Sequence, residues 1–293
     1  MRRDAQARSV LRTYPYWFYL PAGLVFAVFF VVPTALSFYF SLTRWTFFDS
    51  TFIGLKNYET FLSDPMLLSG LRNTIVYAVL TSGSKVIISL PLAILLTSKS
   101  IRLKGLDRSI IFFPTLVSTV AVGITFSALL QPSSGLVNTV LRALGAVLPD
   151  WLGDPHLALY SVALVDIWRG IGIALVIFMA GILSIPLDYF DSARLEGGIF
   201  VKIRHIILPL SRNATFTVIL LSFIGGLRSF DLIWTMTHGG PGFASDVLTS
   251  VIFKEYGAGF YGLSTAGNVV LFLLVTAIIY PMMRFFNRQE IEL

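Results

Sequence analysis

The sequence contains no cysteine, which excludes disulfide bonds, thiolate nucleophiles and zinc–thiolate sites. It is also poor in charge: 13% of its 293 residues are charged, whereas soluble domains have about 25%. Hydrophobic residues make up 55% of the chain, and the mean hydropathy is +0.78. This composition excludes an ordinary soluble domain and indicates a membrane protein.

The motifs of common enzymes are missing as well. No Gly-Lys dipeptide occurs, so the chain has no phosphate-binding P-loop. The three histidines are isolated in the sequence and form no zinc-binding pair. The Ser-Ser-Gly sequence at 133–135 lacks the first glycine of a serine-hydrolase elbow. We therefore expect no catalytic residue, no metal site and no cofactor held by this chain.

Six apolar segments are long enough to cross a bilayer, which takes about 20 residues per helix. They cover about 17–41, 72–97, 109–130, 157–184, 213–233 and 264–286. The first follows a basic stretch, as a signal-peptide core does, but it is longer than the ~7–15 residues of such a core. We therefore predict an all-α membrane protein with six transmembrane helices, forming a single domain over 1–293 and retaining its first helix.

Basic residues are distributed unevenly between alternate connections. Fourteen fall in the amino tail, the second and fourth connections and the carboxyl tail, and four fall in the other connections. The positive-inside rule therefore places both termini and the connection 185–209 in the cytoplasm. This topology accounts for the formal net charge of +6, so we expect no nucleic-acid partner.

Ionisable residues inside the spans are informative, because a charge at mid-membrane costs about 3 kcal/mol or more unless it is paired or hydrated. Asp166 and Arg169 lie three residues apart on the fourth span. Arg228 and Asp231 have the same spacing on the fifth, and Lys85 lies in the second. One interpretation is two intrahelical ion pairs. The other is that these groups line a polar path between the helices, and both can hold.

Small and hydroxylated residues recur in the same spans. They are Thr115, Ser118 and Thr119 in the third, Gly170 and Gly172 in the fourth, and Gly225 and Gly226 in the fifth. Such residues usually allow helices to pack closely. They can equally leave room for a solute near the midplane.

The connection 185–209 predicts two short amphipathic helices, broken at Gly197-Gly198 and closed by Pro209. The second helix has an apolar stripe at helical spacing, formed by Ile199, Phe200, Ile203, Ile206 and Ile207. Such helices can lie flat on the inner leaflet, but the acidic residues of the first helix favour docking to another protein. We expect 186–198 to dock and 199–207 to pack against the bundle.

Two motifs in this connection resemble the cytoplasmic signature loop of binding-protein-dependent ABC importer permeases. They are Asp191-Ser-Ala-Arg-Leu-Glu-Gly197 and Ile206-Ile-Leu-Pro209. Further motifs resemble the maltose/glycerol-phosphate type of sugar permease: Gly54-Leu-Lys-Asn-Tyr58, Asn73-Thr-Ile, Gly135-Leu-Val-Asn138, Ile167-Trp-Arg169, Ala180-Gly-Ile-Leu-Ser-Ile-Pro186 and Thr237-His-Gly-Gly-Pro241. The chain has Asp191 and Ser192 where that family has Glu and Ala, and its interval before Pro209 is one residue shorter.

The resemblance implies the type I importer permease fold, with a coupling helix between the fourth and fifth transmembrane helices. That helix would contact the ATPase through Asp191, Ser192, Ala193, Arg194, Leu195, Glu196 and Gly197. The implied partners are two cytoplasmic ATPase subunits that bind ATP and Mg²⁺, a second homologous permease subunit in a heterodimer, and an extracytoplasmic solute-binding protein. The implied location is the lipid bilayer of a bacterial or archaeal cytoplasmic (inner) membrane.

The resemblance also implies a carbohydrate solute, such as an oligosaccharide, moved by alternating access. Its contacts would fall on Thr115, Thr119, Asp166, Gly170, Ile173, Gly225, Gly226 and Ser229. We add Arg169 and Arg228 to this substrate pathway because of their charge. Most of these residues are small or apolar, so we expect this subunit to contribute less to the solute site than its partner does. The two arginines can face an anionic solute or be satisfied by nearby aspartates, which leaves the charge of the solute open.

Two functions of other classes compete with this one. An ion-coupled secondary transporter or channel would use the intramembrane Asp/Arg pairs as an ion relay and would need no partner. A membrane scaffold would require those pairs to be purely structural. Flux driven by an ion gradient alone would distinguish the first of these from an ABC importer.

Overall fold

The computed structural model describes residues 16–46, 48–98 and 104–287, which are almost entirely helical. The first half contains α1 (Trp17–Ser41), β1 (Thr43–Trp45), β2 (Ser50–Phe52), α2 (Lys56–Ser63), α3 (Pro65–Thr97), α4 (Lys104–Leu116), α5 (Thr119–Leu129) and α6 (Leu136–Ala143). The second half contains α7 (Ala158–Leu183), α8 (Leu187–Glu196), α9 (Ile199–Leu210), α10 (Arg212–Leu227), α11 (Asp231–Thr237), α12 (Leu248–Gly257) and α13 (Tyr261–Asn287). The strands β1 and β2 form one short antiparallel hairpin.

Four helices, α1, α3, α7 and α13, are each long and apolar enough to cross a membrane. The first, fourth and sixth predicted spans match α1, α7 and α13 to within three residues. The second predicted span begins too late, because α3 starts at Pro65. The carboxylate of Asp64 caps this earlier start by accepting hydrogen bonds from the backbone N–H groups of Met66 (2.7 Å) and Leu67 (3.4 Å).

The third predicted span, 109–130, is not one continuous helix, although its two halves together still form a candidate broken span. It is split into α4 and α5, which meet at 95°. Pro114 has no N–H to bond to the preceding turn. The N–H of Val117 then donates to the Pro114 carbonyl at 3.3 Å, in the tighter pattern of a 3₁₀ turn. The helix ends there, and α5 starts in a new direction.

The fifth predicted span, 213–233, is also interrupted. Its helix, α10, ends at Leu227 just after Gly225-Gly226, a pair with low helix propensity. The chain leaves the helix over 228–230 before α11 begins. A second bent pair is formed by α9 and α10, at 66°. When each bent pair counts as one span, the described part of the chain has six candidate spans, and the predicted all-α membrane fold is confirmed.

The segment between α7 and α10 contains the two predicted helices, α8 and α9, separated at Gly197-Gly198. Pro209 does not end α9 as predicted, because a π-helical turn over Ile203–Ile207 precedes it. This wider turn relieves the clash of the proline ring with the preceding turn and does not require its missing N–H. The chain changes direction instead at Ser211.

The centre of the bundle is the contact between α3 and α7, with Tyr77 of α3 fully buried in the largest core cluster. α10 packs on α3 through Gly226, where a Cβ would lie 2.6 Å from the Cα of Ala78. α7 packs on α4 through Gly172, where a Cβ would lie 2.9 Å from the Ile111 carbonyl oxygen. For these two glycines the packing interpretation is therefore correct.

A buried ion pair fixes the loop between α11 and α12. Asp246 is fully buried, and its carboxylate accepts hydrogen bonds from Lys254 Nζ at 2.6 Å and Ser250 Oγ at 2.7 Å. Asn73 of α3 donates to two backbone carbonyls of the same loop, at 3.0 and 2.9 Å. A Cβ at Gly239 would lie 1.8 Å from Asp246 Oδ1, so the loop closes tightly over the carboxylate.

Candidate functional site

A cavity of about 430 Å³ lies where the breaks in the third and fifth spans face α7. Its walls come from α3, α5, α7, α10, the start of α11 and the residues that connect α10 to α11. The charged side chains that line it are Lys85, Asp166, Arg169, Arg228 and Asp231. Within a membrane, backbone that leaves a helix is tolerated where it is buried in protein or lines a wet cavity. The helix breaks in the third and fifth spans are therefore tolerated because they lie beside this polar cavity.

Asp166 pairs with Lys85 across two helices, at 2.8 Å between Oδ2 and Nζ. The two side chains are only 17% and 9% exposed. Gly170, one turn after Asp166, provides the space, since a Cβ there would lie 2.4 Å from Lys85 Cε. The predicted intrahelical ion pair between Asp166 and Arg169 is wrong, because the Asp166 carboxylate is directed to α3 and binds Lys85 there.

Arg169 is directed to the break between α4 and α5. Its Nη2 donates to the Val117 carbonyl at 3.5 Å, and its own carbonyl accepts a hydrogen bond from Thr115 Oγ1 at 2.8 Å. Its Nε is buried and has no hydrogen-bond partner among the described residues. Arg169 therefore holds the broken third span against α7 and leaves part of its donor capacity unused.

Arg228 and Asp231 lie on either side of the break in the fifth span. Arg228 follows the last residue of α10, Asp231 is the first residue of α11, and both are exposed. No ion pair within 4.0 Å joins them in the described part of the chain, so the second predicted pair is also wrong. The i, i+3 spacing brings side chains together only on a continuous helix, and here the helix is interrupted. Thr249 of α12 donates its hydroxyl to the Ser229 carbonyl within this break.

The cavity brings together eight of the ten residues predicted to form the substrate pathway. They are Thr119, Asp166, Arg169, Gly170, Ile173, Gly225, Arg228 and Ser229. Thr115 and Gly226 are not among its lining residues, because Thr115 is bonded to α7 and Gly226 is packed on α3. Ser222 and Phe230 also line the cavity, and no sequence pattern pointed to them. That these residues contact a transported solute stays a prediction.

The second candidate site is the coupling segment, formed by α8, Gly197 and α9. The side chains of five of its predicted contact residues lie outside the described part of the structure: Ser192, Ala193, Arg194, Leu195 and Glu196. Asp191 and Lys202 line a groove of about 880 Å³ between α8, α9 and the ends of α3 and α7. Lys202 Nζ lies 4.5 Å from the centroid of the Phe190 ring, a cation–π contact between α9 and α8.

The packing of α9 changes along its length. Ile207 is 2% exposed and belongs to the same core cluster as Phe178 of α7. Phe200, near the start of α9, is 83% exposed. The prediction that 199–207 packs against the bundle is therefore correct for its second half only. The first half leaves an apolar surface next to α8.

Membrane-spanning helices with a charged cavity between broken spans, and two short helices packed at one end, are the architecture of a membrane transport permease. The chain belongs to the family of binding-protein-dependent transport system inner membrane components, which matches residues 85–290. The protein is a permease subunit of an ABC importer in the inner membrane, as the sequence motifs predicted. The matched region includes the whole coupling segment and all the charged residues of the cavity.

Individual relatives are similar along nearly the whole chain. The probable ABC transporter permease protein YurN of Bacillus subtilis is 32% identical over 95% of this chain and 97% of its own. The trehalose/maltose transport system permease protein MalF of Thermococcus litoralis is 30% identical over 94% of each chain. The structure of a bacterial ABC transporter involved in alginate import superimposes with a TM-score of 0.80 at 21% identity, covering 99% of both chains, and so has the same fold. No comparison supports an ion-coupled transporter.

Proposed function

We propose that this permease passes a carbohydrate, such as an oligosaccharide, from an extracytoplasmic binding protein to the cytoplasm by alternating access. The observation that carries the proposal is that one chain combines a polar cavity between broken spans with a coupling segment packed on the same helices. The carbohydrate class is supported by the relative named for trehalose and maltose transport.

The mechanism follows from the helix that the two sites share. α7 contributes Asp166 and Arg169 to the cavity and, further along, Phe178 to the core cluster that contains Ile207 of α9. A displacement of α8 and α9 is therefore transmitted to a helix that lines the cavity. The Lys85–Asp166 ion pair joins α3 to α7, so a displacement of α7 also displaces α3.

The energy source and partners are part of the proposal. This chain has no P-loop, so two cytoplasmic ATPase subunits would bind ATP and Mg²⁺ and receive α8 at Asp191–Gly197. A second, homologous permease subunit would complete the cavity as a heterodimer. The charge asymmetry of the connections supports cytoplasmic positions for α8 and both termini. A structure of the alginate transporter in complex with its periplasmic protein, which superimposes with a TM-score of 0.76, contains the same fold.

Two neighbouring glycines provide a sharp test of coupling. A Cβ at Gly197 would lie 2.6 Å from Val201 Cγ2, whereas a Cβ at Gly198 would meet no atom of the described residues within 4 Å. We expect Gly197→Val to shift α8 relative to α9 and to lower uptake per ATP hydrolysed, while Gly198→Val keeps coupling. The measurement is ATP hydrolysis and carbohydrate uptake by the co-expressed transporter in proteoliposomes.

The same preparation tests the assembly. The purified chain alone should show no ATPase activity, and the complex with its ATPase subunits and second permease should gain it. Unimpaired uptake by an assembled Gly197→Val complex would refute the coupling role. Uptake by this chain alone, driven by an ion gradient in liposomes, would refute the importer mechanism.

A further inference from the structure

The cavity has an excess of positive charge once the paired residues Lys85 and Asp166 are set aside. Three basic and two acidic side chains line it. Because Lys85 and Asp166 neutralise each other at 2.8 Å, the groups left are Arg169, Arg228 and Asp231. Two cations therefore face one anion in a space that is partly lined by apolar side chains.

The donors of the two arginines are incompletely used. Arg169 Nη2 reaches one carbonyl at the long distance of 3.5 Å, and its Nε is buried with no hydrogen-bond partner in the described part of the chain. Arg228 is exposed in the cavity wall and has no ion-pair partner within 4.0 Å among the residues that the structure describes. A buried donor on a charged group that lacks an acceptor is costly, so an acceptor supplied by a solute is favoured here.

The amino end of α5 is a third feature that favours a negatively charged group in the cavity. α5 begins at Thr119, which lines the cavity, and the residue before it, Ser118, makes no side-chain cap with the first turn. The amide groups at a helix amino end carry partial positive charge and attract anions. Neutral sugars need acceptors as well as donors, and the uncharged side chains of the wall that offer an acceptor are Thr119, Ser222 and Ser229.

We propose that the solute is an anionic carbohydrate, whose carboxylate or phosphate group is bound by Arg169 and Arg228. This inference rests on the proposed import function and names the substrate class for it. Its acid group would be either the carboxylate of a uronate or the phosphate of a sugar phosphate, both of which accept charge-assisted hydrogen bonds from guanidinium groups. The competing explanation is that each arginine only neutralises the carbonyl end of an interrupted helix.

Binding can be measured on the detergent-purified complete transporter without its binding protein, by the shift in unfolding temperature. The probes are trigalacturonate, glucose 6-phosphate and, as the neutral comparison, maltotriose. We expect one of the anionic probes to bind and maltotriose to bind at least about tenfold more weakly, as one charge-assisted contact implies. The two anionic probes separate a uronate from a phosphate.

Arg228→Gln should weaken the anionic probe about tenfold and leave maltotriose unchanged. Arg169→Lys keeps the positive charge but not the planar guanidinium group, and it should weaken binding of the anionic probe less than Arg228→Gln does. Arg142→Gln, on the exposed face of α6, is the matched control and should change nothing. Equal binding of maltotriose, no binding of either anion, or an unchanged affinity in Arg228→Gln would each overturn the inference. None of these results affects the coupling test at Gly197, which decides the import function separately.

Discussion

The Nζ of Lys85 lies 2.8 Å from Oδ2 of Asp166, although the two residues are 81 positions apart in the sequence. The pair joins α3 to α7 beside the cavity and fits because Gly170 leaves room for the lysine stem. It replaces the pairing that the sequence suggested for Asp166, with Arg169 three residues away. The direction of a side chain, more than its spacing, decided which basic group the carboxylate binds.

Breaking this pair on one side should destabilise the protein. Asp166→Asn leaves a largely buried ammonium group unpaired, and we expect a loss of about 3–5 kcal/mol in the free energy of unfolding. Lys85→Met combined with Asp166→Asn should recover part of that loss, because no uncompensated charge remains. Thermal unfolding of the four species in detergent completes the double-mutant cycle. Additive effects of the two substitutions would show that the pair is not a stabilising contact.

Two adjacent glycines of α10 should respond differently to the same substitution. Gly226→Ala places a Cβ 2.6 Å from the Ala78 backbone and should cost about 1–3 kcal/mol through overpacking. At Gly225 the added Cβ would meet no atom within 4 Å in the part of the chain that the structure describes, so Gly225→Ala should preserve stability while it narrows the cavity. The checks are the unfolding temperature and the uptake rate. Equal losses of stability in the two variants would contradict the packing of α10 on α3.

The loop between α11 and α12 allows a second matched comparison. Gly239 (φ +83°) and Gly242 (φ +59°) both have a left-handed backbone, so alanine at either should cost about 1–2 kcal/mol through backbone strain. Only at Gly239 would the added Cβ also meet the Asp246 carboxylate, at 1.8 Å. Gly239→Ala should therefore lower the unfolding temperature more than Gly242→Ala does. A smaller effect at Gly239 would argue against Asp246 as the anchor of the loop.

We predict that the free energy of unfolding depends on pH through Glu255 of α12. Burial, and after it the negative charge of Asp64, raises the pKa of the Glu255 carboxyl above its ordinary value of 4.5. A raised pKa means that the fold favours the protonated form. The stabilisation is therefore complete below the pKa of the unfolded chain and is lost as the pH rises through the higher pKa of the folded state.

Glu255→Gln should accordingly raise the unfolding temperature at neutral pH, and its advantage should vanish below about pH 4, where the glutamate of the unfolded chain is protonated. Glu59→Gln, at an exposed position of α2, removes one carboxylate in the same way and is the matched control. The measurement is the unfolding temperature of each variant between about pH 4 and 8. A constant difference across this range would contradict the role of Glu255.

Much of the fold could be predicted from the sequence, because long apolar runs, basic connections and a glycine pair are local signals. The spans that became α1, α7 and α13 were placed to within a few residues. The interruptions at 117–118 and 228–230 were not predicted, since the apolar character continues through them. Pro114 marked the first break, but a proline inside a span is often tolerated and does not by itself specify a 95° bend.

The candidate site also has features that the sequence predicts and features that it does not. The sequence determined which residue types enter the membrane: one lysine, two arginines and two aspartates that later line one cavity. Only the tertiary structure decided their partners, because pairing depends on which helix faces which. Lys85 pairs with Asp166, Arg169 donates to the Val117 carbonyl, and Arg228 lines the cavity with no ion-pair partner among the described residues. Local sequence fixes the hydrophobicity and length of each helix, whereas helix packing brings residues far apart in the chain within bonding distance and so sets the charge of the site.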